Sequence, residues 1–268
     1  MNMTKNNLYF ELAHLLEKGN QSAIATIIGG EGSTPRKPGA KMLILADGTT
    51  RGTIGGGILE SQVIQAARGV IAARRLQVLN IDLTRINDPD TDMRCGGKVT
   101  VLVEPVIPPD PVVIFGGGHV GQAIFQALSR LNFRITIVDD RPVYADPTRF
   151  PEAESVLCVG FDDAFQRIEF TPETCIIICT RAHKNDEECL RLALRTPARY
   201  VGMLGSRSKL GTFREKLMAD GFTVARLDEL RSPIGLAIGA VTPEEIAISV
   251  AAELIQIRAS RISANAER

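Results

Sequence analysis

The chain lacks the features that would place it in several large functional classes. Its 31 basic and 31 acidic residues cancel, so there is no global positive field to hold nucleic acid. No apolar run is long enough to cross a bilayer. The opening stretch "MNMTKNNLYFELAHLLEKG" carries no signal-peptide pattern; it reads as an amphipathic helix with Leu8, Leu12, Leu15 and Leu16 on one face. Cysteines are few and odd in number, five in all, without paired zinc spacing. That argues against a disulfide framework and against a zinc module, and points to a reducing, cytoplasmic setting. Cys175 and Cys179, in "CIIIC", fall inside a buried-strand pattern and read as core. There is no internal repeat and no low-complexity tract.

What is present falls into two parts. The run "EPVIPPDP", residues 104–111, has the composition of a stiff extended connector. Before it, "SAIATIIG", "AKMLILA", "TTRGTIG", "LQVLNIDL" and "KVTVLVEP" read as strands, with Asp47-Gly48 at a hairpin tip and one helix over 58–75. After it, near-continuous apolar strands alternate with helices: "PVVIFG", "RITIVD", "SVLCVG", "TCIIICT", "RYVGMLG". That alternation predicts a parallel, doubly wound sheet. "TPEEIAISVAAELIQIR" closes the pattern as a helix, with Thr242 as N-cap, Pro243 in its first position and Glu245 completing a capping box. The expectation is an α/β protein: an α+β domain over 1–104, a proline-rich linker over 105–111 and a Rossmann-like domain over 112–268.

"VVIFGGGHVGQAI" follows a strand and opens a helix, the setting in which G-x-G-x-x-G binds a dinucleotide. Gly116 would permit the tight turn, Gly118 the approach of a pyrophosphate and Gly121 close helix–strand packing. Phosphates would rest on the helix N-terminus. Asp139 ends the next strand and is placed to accept from a ribose hydroxyl, which favours NAD over NADP; Arg141 weakens that preference. The competing reading gives the glycines a packing role only. His119 lies in the glycine loop. His183 follows the strand "TCIIIC", at the end of an α/β strand where ligands bind. In "VGMLGSRSKLGTF", Ser206 is an N-cap beside Arg207, which suits anion binding and plain capping equally.

The first domain holds three more glycine-rich stretches. "GGEGSTPRKPGAKM" is a long loop of special residues with adjacent cations, where Arg36 could make a bidentate phosphate contact. In "GTIGGGILESQ", Gly55, Gly56 and Gly57 place bare amides at a helix start, a candidate anion cradle. In "MRCGG", Gly96 and Gly97 permit a concave nest of N–H groups, and Arg94 would favour the thiolate of Cys95. Cys95 is thus either a reactive or ligand-binding cysteine or a small residue in a glycine turn. Together these stretches suggest one glycine-lined pocket for a large anion; close packing at a domain interface is the alternative.

Taken with "TRAHKND", "YVGMLGSRSK" and "PIGLAIGAVTPEEIAISVAAEL", these motifs resemble, in order and over nearly the whole chain, the XdhC/CoxI family of xanthine dehydrogenase accessory proteins. The resemblance implies a small N-terminal domain, a C-terminal Rossmann domain and a homodimer. It implies a chaperone without turnover of its own, which binds molybdenum cofactor, protects it during sulfuration and delivers it to a molybdenum hydroxylase such as xanthine dehydrogenase. Sulfur would come from a separate cysteine desulfurase. The family pattern maps onto Cys95, Gly96 and Gly97, the loop Ser33, Thr34 and Arg36, and Gly55 to Gly57, with Cys95 as the metal-facing residue. It also covers Gly116, Gly118, Gly121, Asp139, His183 and Asp186. The alternatives are an NAD-dependent oxidoreductase and a nucleotide-sensing regulator.

Overall fold

A computed structural model describes residues 7–85, 97–181, 183–205 and 207–266 of the 268-residue chain. It divides into two compact units, residues 1–108 with 258–268, and residues 109–257.

The first unit opens with helix α1 (Leu8–Glu17), capped by the Asn7 side chain. Strands β1 (Ser22–Glu31), β2 (Lys41–Leu45) and β3 (Thr50–Gly52) follow, then helix α2 (Gly57–Ala73) and strands β4 (Gln77–Asp82) and β5 (Lys98–Val106). The strands form an antiparallel sheet in the order β3-β2-β1-β5-β4. The β2–β3 turn is the expected hairpin, with the Asp47 carboxylate accepting from the Thr49 N–H at 2.8 Å. Helix α2 buries Leu59, Val63, Ala67 and Val70, spaced at three or four residues, in a core with Ala25, Ile27, Met42, Val101 and Val103. That spacing is the apolar stripe of a helix lying on a sheet.

Most of the proline-rich run expected as an extended linker over 105–111 lies in strands. Strand β5 continues through Pro105 to Val106, and β6 (Asp110–Phe115) starts soon after. Proline removes one ladder donor, but its fixed φ suits extended chain.

The second unit continues with helix α3 (His119–Leu128), β7 (Phe133–Asp139), β8 (Ser155–Cys158), α4 (Phe161–Arg167) and β9 (Cys175–Ile178). It ends with α5 (His183–Ala193), β10 (Tyr200–Met203), α6 (Arg207–Ala219), α7 (Val224–Asp228) and α8 (Pro243–Ala266) as far as residue 257, the rest of α8 being counted with the first unit. Its sheet is wholly parallel, in the order β10-β9-β6-β7-β8. Alternate residues of β6 face opposite layers: Val112 and Ile114 pack with α3 and α8, Val113 and Phe115 with α4, α5 and α6. Two covered faces explain the uninterrupted apolar strands. The capping box of α8 is present, with Glu245 N–H donating to Thr242 Oγ1 at 3.3 Å and Thr242 N–H to Glu245 Oε2 at 3.0 Å. Among the described residues, no helix is long and apolar enough to cross a membrane.

Candidate functional site

The order of the parallel sheet reverses at β6 and β9, and ligands of open α/β sheets collect at the carboxyl ends of such strands. Three segments meet there: the glycine loop after β6, the end of β7 and the chain leaving β9. A methyl group on Gly121 would overlap the carbonyl oxygen of Gly116, and one on Gly116 would overlap that of Cys179. Gly118 differs. Nothing lies within 4 Å of where its Cβ would stand, and no side chain caps α3. The first amides of α3 therefore open toward space that a phosphate suits. His119 is exposed at the same helix start.

Asp139 is buried, and its carboxylate is committed elsewhere than to a ribose. It accepts from the N–H of Gly117 at 2.9 Å, and from the N–H, Nε and Nη2 of Arg141 at 3.1, 2.9 and 3.1 Å. A carboxylate offers about four acceptor positions, so the ribose contact expected from sequence has no free oxygen to use. Burial pushes this carboxyl up, but its bonds to Arg141 and Gly117 outweigh that and hold it below the usual range. The Gly118 amides thus leave space for a phosphate, while the Asp139 carboxylate is already engaged.

The segment between β7 and β8 has no α-helix and folds back over the glycine loop. Arg149 Nη1 donates to the Gly117 carbonyl at 2.8 Å and Nη2 to Gln122 Oε1 at 2.6 Å. Arg141 stacks 3.8 Å above the Tyr144 ring. The carbonyl of Tyr144 sits so close to Gly117 that a side chain there would overlap it. The G-x-G-x-x-G spacing leaves position 117 open to any residue; the unbroken "GGG" is the signal that glycine is needed there too.

At the end of β9, Asp186 is buried and accepts from the Thr180 N–H at 3.1 Å and hydroxyl at 2.5 Å. This ties the first turn of α5, which His183 opens, to the strand end. The Cys179 thiol is pushed up to about 12 by burial, with Asp186 and Asp139 adding to the effect. It is a packing residue, as is buried Cys175. Arg207 opens α6, and Ser206 lies outside the described residues.

In the first unit, the loop after β1 reaches the other glycine stretches. Pro35 Cγ lies 2.5 Å from where a Gly55 Cβ would be, and the Ser33 carbonyl oxygen 2.8 Å from that of Gly97. Gly55 and Gly97 are thus glycines because this loop packs against them. Thr34 Oγ1 donates to the Arg36 carbonyl at 3.1 Å, and Ser33 and Arg36 are exposed. Cys95 and Gly96 lie outside the described residues.

The anion cradle expected at Gly55 to Gly57 already holds an anion of the chain itself. Glu60 Oε1 accepts from the amides of Ile54, Gly55 and Gly56 at 3.0, 3.3 and 3.0 Å and from the Thr53 hydroxyl at 2.6 Å. This also ends β3 at Gly52, short of the sequence expectation, because the next amides turn toward Glu60 instead of a neighbouring strand. Burial pushes the Glu60 carboxyl up, but the bonds from Thr53, Gly56, Ile54 and Gly55 bring it below its ordinary value. Glu60→Gln keeps the shape and loses the charge, and should destabilise the first unit by about 2 kcal/mol, read as a lower urea midpoint. A folded-state value below the unfolded one adds stability above the unfolded value, which fades as pH falls through the folded one. The gap between Glu60→Gln and wild type should therefore close below about pH 4.

Comparison with known proteins places this architecture. Residues 112–254 match the family described as the XdhC Rossmann domain, and residues 15–82 match the XdhC and CoxI family. The chain belongs to the XdhC and CoxI family. It is 33% identical to Escherichia coli YqeB, described as uncharacterised, over 94% of this chain and 46% of that protein; the chain thus spans about half the length of that relative. It is 23% identical to a Bacillus subtilis protein described as a probable xanthine dehydrogenase subunit, over 94% of this chain and 98% of the other. A solved structure from Bacillus halodurans, described as a xanthine dehydrogenase, is 26% identical with a TM-score of 0.52, covering 94% of this chain and 96% of its own. Among the described residues of this XdhC-type chain, the first amides of α3 open at Gly118 and Arg36 stands exposed in the loop after β1.

Proposed function

We propose that this XdhC-family protein is an accessory protein for a molybdenum hydroxylase of the xanthine dehydrogenase kind. It binds molybdenum cofactor as cargo, shields it during sulfuration and passes it on as a homodimer, with a cysteine desulfurase supplying the sulfur. The observation that carries the reading is the packing of Ser33 and Pro35 against Gly97 and Gly55. It draws the exposed Arg36 loop to the strand that follows Cys95 in the sequence. A phosphate needs an arginine and amides, and a soft dithiolene-bound metal accepts thiolate. Arg36 and Cys95 are the residues assigned these tasks.

The dehydrogenase alternative is weaker because Asp139, the carboxylate the sequence offers to a ribose diol, is saturated by Gly117 and Arg141. Cys95→Ala and Cys95→Ser test the reading. Both variants should retain cofactor roughly tenfold less well than wild type, the loss of one good contact, and deliver correspondingly less sulfurated cofactor to an apo-hydroxylase. Wild-type retention and delivery in both variants would remove Cys95 from the account.

A further inference from the structure

The run "RSPIGLAIGAVTPEEIAISVAAE" is not used by either region described above, yet it surrounds a cavity of about 530 Å³ within the second unit. That volume lies within the range of small-ligand sites. Its apolar walls include Leu204, Leu230, Ile234 and Ile246. Its polar lining has unmet valence of both kinds.

Glu253, on α8, is only 8% exposed. Its Oε2 accepts from the Tyr200 hydroxyl at 2.6 Å and the Gly235 N–H at 2.8 Å. Its Oε1 takes no hydrogen bond from the described residues, although that atom is not sealed away from solvent. Ser232 lines the cavity with a buried hydroxyl that has no partner among the described residues. Arg231 lines it too, exposed, and forms no ion pair among the described residues. The Gly239 and Ala240 amides are not engaged by the described backbone, while those of Val241 and Thr242 are taken up by Glu245. A carboxylate oxygen that is open to the cavity and not taken by the protein is an acceptor for an N–H donor. An exposed guanidinium and open amides lining the same cavity call for an anion. The cavity's apolar walls suit a flat ring.

We propose that this cavity binds a phosphorylated heterocycle whose ring presents N–H donors to Glu253 and whose phosphate meets Arg231. A guanine mononucleotide and a pterin phosphate share this chemistry. The site is separate from the Gly118 loop and does not rest on the cofactor reading, which stands or falls by Cys95 and Arg36.

The test is isothermal titration of the full chain with guanosine 5′-monophosphate, guanosine, inorganic phosphate and 6-hydroxymethylpterin monophosphate, with thermal melting as a check on folding. At least one of the two phosphorylated rings should bind, roughly tenfold more tightly than guanosine or inorganic phosphate. Comparing the two phosphorylated rings identifies the source. Arg231→Gln, at an exposed position, should cost the phosphorylated ligand roughly tenfold while leaving guanosine unchanged. Glu253→Gln should weaken guanosine and the phosphorylated ligand alike, without altering any inorganic phosphate binding. If Glu253→Gln fails to fold, Ala237→Phe, an exposed lining position, replaces it and should block the ring. No binding of either phosphorylated ring at millimolar concentration, or binding indifferent to both Arg231→Gln and the ring-wall variant, overturns the proposal.

Discussion

Gly121→Ala should unfold the parallel-sheet unit some 6–12 °C earlier than wild type, about 3 kcal/mol at the upper end of what overpacking costs. The added methyl would overlap the Gly116 carbonyl oxygen and stand 3.3 Å from Cys179 Sγ. Neither obstacle yields easily. Gly116 donates its N–H to the Val138 carbonyl at 2.8 Å, and Cys179 donates its own to Phe115 at 2.8 Å, so both are fixed to strands of the sheet. Gly118→Ala, three residues earlier, is the informative partner. Its methyl meets nothing within 4 Å, so the melting temperature should fall by at most about 2 °C, the small loss of an alanine N-cap. If that loop holds a phosphate, Gly118→Ala should nonetheless weaken it. Hydrogen exchange of the amides of β6 and β9 reports the first effect and ligand titration the second. Equal stability of the two variants would mean the loop is looser than its packing implies.

Asp139→Asn should be nearly as damaging, by about 3 kcal/mol. Asparagine keeps one acceptor oxygen but turns an NH2 toward donors, the Gly117 N–H on one side or the Arg141 guanidinium on the other. Arg141 then keeps only its longer ion pair with Asp140, at 3.6 Å, beside a clash of donors. The pH dependence carries a sign. The folded-state value of Asp139 lies below its ordinary one, so its contribution is complete above the unfolded value, near pH 4, and is lost as pH falls through the folded one. Wild type and Asp139→Asn should therefore converge in acid and diverge at neutral pH, in urea titrations from about pH 3 to pH 7. A constant difference across that range would assign the effect to shape rather than charge.

Much of the fold was legible because local and long-range signals agreed. The buried runs of the second unit are continuous since both faces of their sheet are covered, and the Thr242–Glu245 capping box marks the start of α8 with the bonds its spacing implies. The site was less legible, because sequence shows which groups are available and not which are already engaged. Asp139 sits where a ribose partner would, yet its own neighbour Arg141 satisfies it. The amides before α2 form the cradle that the glycines suggested, but Glu60, itself in the quoted motif, fills it. Arg149 and Tyr144 reach the glycine loop only because the segment after β7 folds back without a helix, and no periodicity announces that. The carboxylate of Glu253 reads in sequence as one more acid on a helix; only the cavity beside it makes its open oxygen notable.

On the proposed function the chain carries molybdenum cofactor. The direct measurement is molybdenum and pterin content of the full protein, purified without oxygen from cells that make the cofactor, beside an Arg36→Ala, Cys95→Ala double variant. Wild type should hold both metal and pterin, in equal amounts and well above the double variant. Metal and pterin no higher than in an unrelated protein carried through the same purification would contradict it.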